Sequence, residues 1–303
     1  MQSLENHRPI FKKENLIYER EEKDSNWTIL PKFHPETREL IINRTAKEVL
    51  MYCDGTRTIE EIVKAMKDKY QNAAIELIRN DVHNTLASFS RLMIIQWENE
   101  NPFLFKRERI ISDETFFRIG VEEDILEIKA FIEKSGISEK KLEQKENSEL
   151  FLYRSSLIDP INEYSEVAMR QKMFRYYEDF FIYFNKKEIL SLISIALPMP
   201  PNQAASFNLV IAKKSILKDL LRYSADNLPF ISVFKIRKIK LYEDMNEKLS
   251  PEFEKIFVDE GYKQEGILRD ELGLNHDLRI MSWIYDPLFI DEVEKQRSNI
   301  TYN

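Results

Sequence analysis

The residue types that hold metals or cross-link a chain are few here, and their spacing is wrong for either task. Cys53 is the single cysteine, so no internal disulfide forms and no cysteine-rich metal site exists. The histidines His7, His34, His83 and His276 are scattered, with no pair at metal-ligand spacing. The longest basic cluster, Lys235 to Lys240, alternates with Ile236 and Ile239. It reads as a strand with a basic solvent face, and an anion or peptide contact is the other reading.

Charge and length narrow the class. The 303 residues carry a net charge of −7, from 45 Lys and Arg against 52 Asp and Glu. A duplex-binding protein needs a concentrated positive surface to replace condensed counterions, and none is present. No run of about 18 apolar residues occurs, so no membrane span is expected. The polar opening residues argue against a secretory signal. With 43% hydrophobic residues there is ample apolar surface for two cores. A cytoplasmic, metal-free protein is the expectation.

A first domain is expected over residues 10–98. Thr45 and Glu48 have the spacing of a capping box, and the helix they open places Ala46, Val49, Leu50 and Cys53 on one side, with Gly55 to end it. Thr58 and Glu61 form a second box, before a stripe at Ile59, Ile62, Val63, Met66 and Tyr70. A third helix carries Ile75, Ile78, Val82, Thr85 or Leu86, and Phe89. Three extended pieces come first, Leu16 to Arg20, Trp27 to Phe33 and Glu39 to Asn43, with a turn at His34 to Thr37 between the last two. Three strands before three helices is a winged-helix-like order.

The stretch ELIINRTAKEVLMYCDGTRTIEEIVKAMKDKY, from Glu39 to Tyr70, resembles the PqqD family. It has that family's strand, polar-Ala helix, Asp-Gly turn and Thr-Ile-Glu-Glu-Ile helix. PqqD-like domains, or RiPP recognition elements, bind the leaders of ribosomally made precursor peptides. The resemblance implies that a leader adds as a strand to the edge formed by Leu40, Ile41, Ile42 and Asn43. It also implies a groove wall from Ile78, Val82, Thr85, Leu86 and Phe89. DNA binding is disfavoured, because the third helix carries Glu76 and Asp81 against only Arg79 and Arg91.

Residues 99–115 read as a connection broken by Pro102, with Phe103 and Phe105 packing onto one domain. A second domain is expected over residues 116–290 and a tail over 291–303. Its predicted order is a strand (116–119), a helix (122–132), a polar loop or exposed helix (137–150), a helix (164–177) and a hairpin (180–184, 189–197). Pro198 to Pro201 ends that hairpin. A strand (207–211), a helix (215–227), a strand (231–241), a helix (251–260) and two last strands (266–268, 278–285) complete it. The fold class is therefore α+β, a winged-helix-like domain followed by a mixed α/β sheet domain.

Two patches, Phe116 to Ile132 and Phe253 to Asp286, resemble the GNAT acyltransferase fold, most specifically at the Gly261-Tyr262-Lys263 run. The resemblance implies acyl-CoA as donor, with an acyl-carrier protein or aminoacyl-tRNA as other carriers of the acyl group. It places the cofactor against Leu209, Ile211, Lys213, Lys214, Ser215 and Ile216. Amides of the strand from Leu209 to Ala212 would stabilise the oxyanion. The sequence departs from the family: the run from Ile211 to Leu217 has no glycine, and the general-acid tyrosine position falls on Phe257. Ser215 as helix cap and the two lysines are left to attract phosphate. Either another group such as Tyr242 supplies the proton, or the thiolate leaves directly, or the domain is not catalytic; Glu178, Asp179 and Glu243 are candidate bases. The expected function is leader-directed N-acylation of a peptide amine. The alternative is a catalytically inactive protein that presents the precursor to other maturation enzymes. A homodimer is a further expectation.

Overall fold

The computed structural model describes residues 6–301 except 24, 34–38, 99–100, 104–106, 138–148, 159–162, 200, 233–234 and 248, and no side chains beyond 295. The predicted turn at His34 to Thr37, Phe105, Pro200 and most of the 137–150 segment lie outside the described residues. The chain divides at residues 105 and 106 into two units.

In the first unit β1 (Pro9–Phe11) pairs antiparallel with β5 (Ile95–Trp97). Strands β2 (Leu16–Glu21), β3 (Trp27–Pro31) and β4 (Leu40–Ile42) form an antiparallel sheet in that order, which leaves β4 at an edge. Alternation turns Trp27 and Ile29 into the core. Three helices follow: α1 (Arg44–Tyr52), α2 (Ile59–Lys69) and α3 (Ile75–Arg91).

The Thr58 box forms as predicted, with Glu61 N–H donating to Thr58 Oγ1 at 3.3 Å and Thr58 N–H to Glu61 Oε2 at 2.8 Å. The Thr45 box does not form. Asn43, leaving β4 with extended backbone, caps α1 by accepting from Ala46 N–H at 2.8 Å. Asparagine is as good a cap as threonine and stands two residues earlier, so the helix starts there. Glu48 then lies on the body of α1 and binds Arg44, Lys69 and the Tyr70 hydroxyl at 2.8–2.9 Å.

The second unit is a mixed sheet covered on both faces. Its elements are β6 (Arg109–Ile110), β7 (Thr115–Ile119), α4 (Ile125–Ser135), β8 (Leu150–Arg154), α5 (Glu166–Phe174), β9 (Glu178–Asn185), β10 (Ile189–Ala196) and β11 (Ala204–Lys213). Then come α6 (Leu217–Ile231), β12 (Lys238–Asp244), α7 (Pro251–Asp259), β13 (Lys263–Gly273), β14 (His276–Ile284) and α8 (Pro287–Thr301). The strand path is β13-β14-β12-β11-β10-β9-β7-β6, with β8 off that path on β11. Period-two alternation sorts the central strands. Phe181, Ile193, Val210 and Ala212 face α6 and α7, whereas Ile182, Leu192, Leu209 and Ile211 face α4 and α5.

Three expectations are corrected. The proposed tail is helix α8 from Pro287. The predicted strand from Ile231 begins only at Lys238, because α6 runs on through Pro229 to Ile231. The presumed connection contributes β6, and a short strand was missed entirely at Leu150 to Arg154.

Candidate functional site

In the first unit β4 pairs with β3 alone among the described residues, so its outer edge has backbone groups to offer. Ile41 is 70% exposed on the face away from the core, while Leu40 and Ile42 are half-buried. Asn43 is committed to the α1 cap. Of the presumed groove wall, Ile78, Val82, Leu86 and Phe89 are buried and fill the core; Thr85 is half-buried. The apolar side chains that α3 exposes are Ile75 and Leu77, which sequence reasoning did not single out as contacts. Phe103 packs on this unit, its ring 5.6 Å from Trp97 and 6.3 Å from His83.

In the second unit the residues expected against the donor, Leu209 to Ile216, lie at the end of β11 and in the turn after it, and β12 is the neighbouring strand. The two strands pair in parallel only from Ala204–Lys238 to Ser206–Lys240, and then part. Strand β8 sits in the gap. It pairs antiparallel with β11 from Leu209–Arg154 to Lys213–Leu150. Ser155 N–H to Asn208 C=O (2.8 Å) and Lys214 N–H to Glu149 C=O (2.9 Å) bracket the ladder. Because β10 pairs the same stretch of β11, β8 holds the other edge, the one toward β12. Tyr153 reaches across: its hydroxyl donates to Tyr242 C=O at 2.8 Å and accepts from Tyr242 N–H at 3.2 Å.

The amides expected to hold an oxyanion are therefore occupied. Leu209 N–H donates to Ser194 Oγ at 3.1 Å and Lys213 N–H to Ser191 Oγ at 3.0 Å, both on β10. Alternation directs Val210 and Ala212 to β8. Ile211 is buried against α4 and α5. Ser215 does not cap α6; Ile216 holds the cap position, with no side-chain hydrogen bond. Lys214 pairs with Glu252 at 3.0 Å and lies 5.1 Å over the Phe151 ring, and Lys213 is half-buried.

The candidate acid and bases fare similarly. Phe257 is buried, with ring centroids of Phe253, Tyr262 and Phe207 at 4.9, 5.0 and 5.6 Å. Tyr242 is half-buried, and burial followed by the charge of Glu265 raises its phenol pKa. Glu243, its neighbour on β12, faces the opposite way and is buried. Its oxygens accept from Leu249 N–H at 2.7 Å and from Arg279, which also binds Glu254 at 2.7 Å. This carboxylate is a structural anchor, and the two side chains are not aimed at one reacting atom. Glu178 is buried too, accepting from the Tyr164 hydroxyl at 2.6 Å and from Lys172 at 2.8 Å. Burial works against the Lys172 charge, but Glu178 and then Glu163 outweigh it and raise its pKa. Asp179 follows on β9 and is half-buried. Among the described residues no group of three His, Cys, Asp or Glu side chains is placed to hold a metal, and no helix is long and apolar enough to cross a membrane.

No curated protein matches the sequence. Among solved structures, the chain is similar to a ribosomal-protein-S5-alanine acetyltransferase from Vibrio fischeri, with 11% identity and a TM-score of 0.41, covering 59% of this chain and 97% of that one. It is also similar to the spermidine N-acetyltransferase from Vibrio cholerae in complex with CoA and spermine, with 16% identity and a TM-score of 0.39, covering 57% and 96%. A third is an acetyltransferase from Salmonella typhimurium that modifies the N-terminal serine of ribosomal protein L7/L12, with 15% identity and a TM-score of 0.38, covering 58% and 98%. Residues 32–95, which hold β4 and all three helices of the first unit, match the family model for coenzyme PQQ synthesis protein D (PqqD).

Proposed function

We propose that this chain binds the leader of a ribosomally made precursor peptide through β4 and presents the peptide to maturation enzymes without itself using acyl-CoA. The PqqD match and the β4 edge, unpaired among the described residues, support the first half. An extended leader adds backbone hydrogen bonds along Leu40 to Ile42, and the exposed side chain of Ile41 meets its apolar residues. The observation that carries the second half is β8, seated where an acyl donor would need the edge of β11. A thioester cannot use backbone groups already paired, and the candidate bases Glu178 and Glu243 are buried in ion pairs.

The competing reading is leader-directed N-acylation of a peptide amine from acyl-CoA or a related thioester. What favours it is the strand order around the β11–β12 opening, with Lys213 and Lys214 at the end of β11. Isothermal titration of the full chain with a leader peptide, acetyl-CoA and longer acyl-CoAs separates the two, followed by mass spectrometry of the precursor. The proposal expects leader binding, no acyl-CoA binding and no mass gain. An acyl-CoA that binds and adds its acyl mass to the precursor overturns it.

A further inference from the structure

We infer that two copies of this chain associate through their second units, the α4 helix of each lying across the β12–β14–β13 part of the other's sheet. The inference goes beyond leader binding and does not depend on it.

The sheet is clothed unevenly. Among the described residues, the apolar cluster beneath α4 and α5 draws on β9, β10 and β11 and on no residue of β12, β13 or β14. Alternation on β12 buries Ile239 and Leu241 against α6 and α7, so Lys238, Lys240 and Tyr242 stand on the side of α4 and α5. Register sets Ile284, Ser282 and Ile280 of β14 beside them in turn, and Lys263 and Gly266 of β13 opposite Ser282 and Ile280. Ile284 is 66% exposed, and Leu268, further along β13, is 41% exposed. A register shift precedes Gly266, but its φ is not left-handed, and a Cβ there would meet nothing within 4 Å. The fold does not require glycine at this point; the missing side chain leaves room for the close approach of another element. A bare half-sheet of this kind is completed by a helix, as the other half already is.

Charge selects the helix. Lys238 pairs with Glu265 at 2.7 Å, whereas Lys240 and Lys263 have no ion pair among the described residues. On a chain of net charge −7, this face is basic. Helix α4 buries Ile125, Ile128 and Ile132 against its own sheet and turns Leu126, Glu127 and Ala130 outward, with Glu123 just before its first turn. Glu123 and Glu127 likewise have no ion pair among the described residues. An acidic, partly apolar helix face thus matches a basic, partly apolar sheet face. Because α4 and the bare half-sheet lie on the same side of one sheet, a twofold axis forms both contacts at once, and the association closes as a dimer. Seven residues of β14 with the two flanking strands make a floor of roughly 23 by 14 Å. Taken over both copies and both surfaces, the contact covers on the order of 1,200 Å², enough for a stable interface.

Sedimentation velocity of the full chain over a range of concentrations tests this. The wild type should dimerise reversibly, and less tightly as salt is raised. Lys240→Glu with Lys263→Glu should weaken the dimer at least about a hundredfold, as should Glu123→Lys with Glu127→Lys, because like charges then face each other. Mixing these two variants should restore association, since every patch again meets its opposite. Gly266→Trp fills the open floor and should weaken the dimer at least about tenfold with an unchanged circular dichroism spectrum. A monomer at every concentration overturns the inference. So does a dimer that both charge-reversed variants retain, or one that their mixture fails to recover. Should one charge-reversed variant not fold, the other and Gly266→Trp decide: association undiminished in both overturns the inference.

Discussion

The Tyr153 hydroxyl holds both backbone groups of Tyr242, donating to the carbonyl at 2.8 Å and accepting from the N–H at 3.2 Å. One side chain thus ties β8 to β12. Removing that hydroxyl leaves buried groups unsatisfied, which costs more than the bond itself contributes. Tyr153→Phe should therefore destabilise the second unit by about 1–3 kcal/mol in urea denaturation. Tyr242→Phe keeps the same backbone bonds and should change stability by less than about 0.5 kcal/mol. Equal effects would mean that the bridge contributes nothing.

Lys172 is the cation of a buried cluster with Glu178 and Glu163. Lys172→Met should cost about 3–5 kcal/mol, because Glu178 is left as an uncompensated buried charge. Lys172 is raised above its ordinary 10.5, so its contribution is complete below that pH and fades as pH climbs through the higher folded value. Chemical denaturation between pH 5 and pH 11 checks both statements.

Ile41 and Leu86 separate binding from folding in the first unit. Ile41→Asp changes an exposed side chain on an edge strand, so stability should stay within about 0.5 kcal/mol of wild type. Leader affinity should fall about tenfold, as an apolar contact is replaced by a charge. Leu86→Ala empties a fully buried position and should cost about 2–5 kcal/mol. Titration of a leader peptide alongside urea melts would expose a reversed assignment.

Phe257→Tyr restores the hydroxyl that the GNAT resemblance expects at this position. The ring is buried among Phe207, Phe253 and Tyr262, so the hydroxyl enters an apolar core and should destabilise by about 1–3 kcal/mol. No acyl transfer should appear when acetyl-CoA and precursor are incubated with the variant and followed by mass spectrometry.

What could be read locally was read correctly where a signal spanned several residues. The α2 cap and stripe, the β9–β10 hairpin and Gly261 after α7, with φ at +92, all appear in the structure. Short or displaced signals failed. The strands β1 and β5 have three residues each, too few to show alternation, and Asn43 outcompeted Thr45 as a cap because it lay nearer the strand end. Sequence spacing nominated Ile78, Val82, Leu86 and Phe89 as a unit, but a helical stripe marks one face without saying whether core or ligand covers it.

The sequence by itself determined that a domain of three helices precedes a mixed sheet domain, since turn chemistry, caps and periodicity are properties of neighbouring residues; the resemblance to PqqD came from the stretch Glu39 to Tyr70. It also showed that Ile211 to Leu217 has no glycine and that Phe257 stands where the GNAT resemblance implies an acid. Only the tertiary structure decided what fills the β11–β12 opening. Leu150 to Arg154 carries no marker that would assign it to β11, some sixty residues further along the chain. Strand pairing at that separation is a long-range choice, settled by which edge of the sheet is open and which aromatic side chains complete its core.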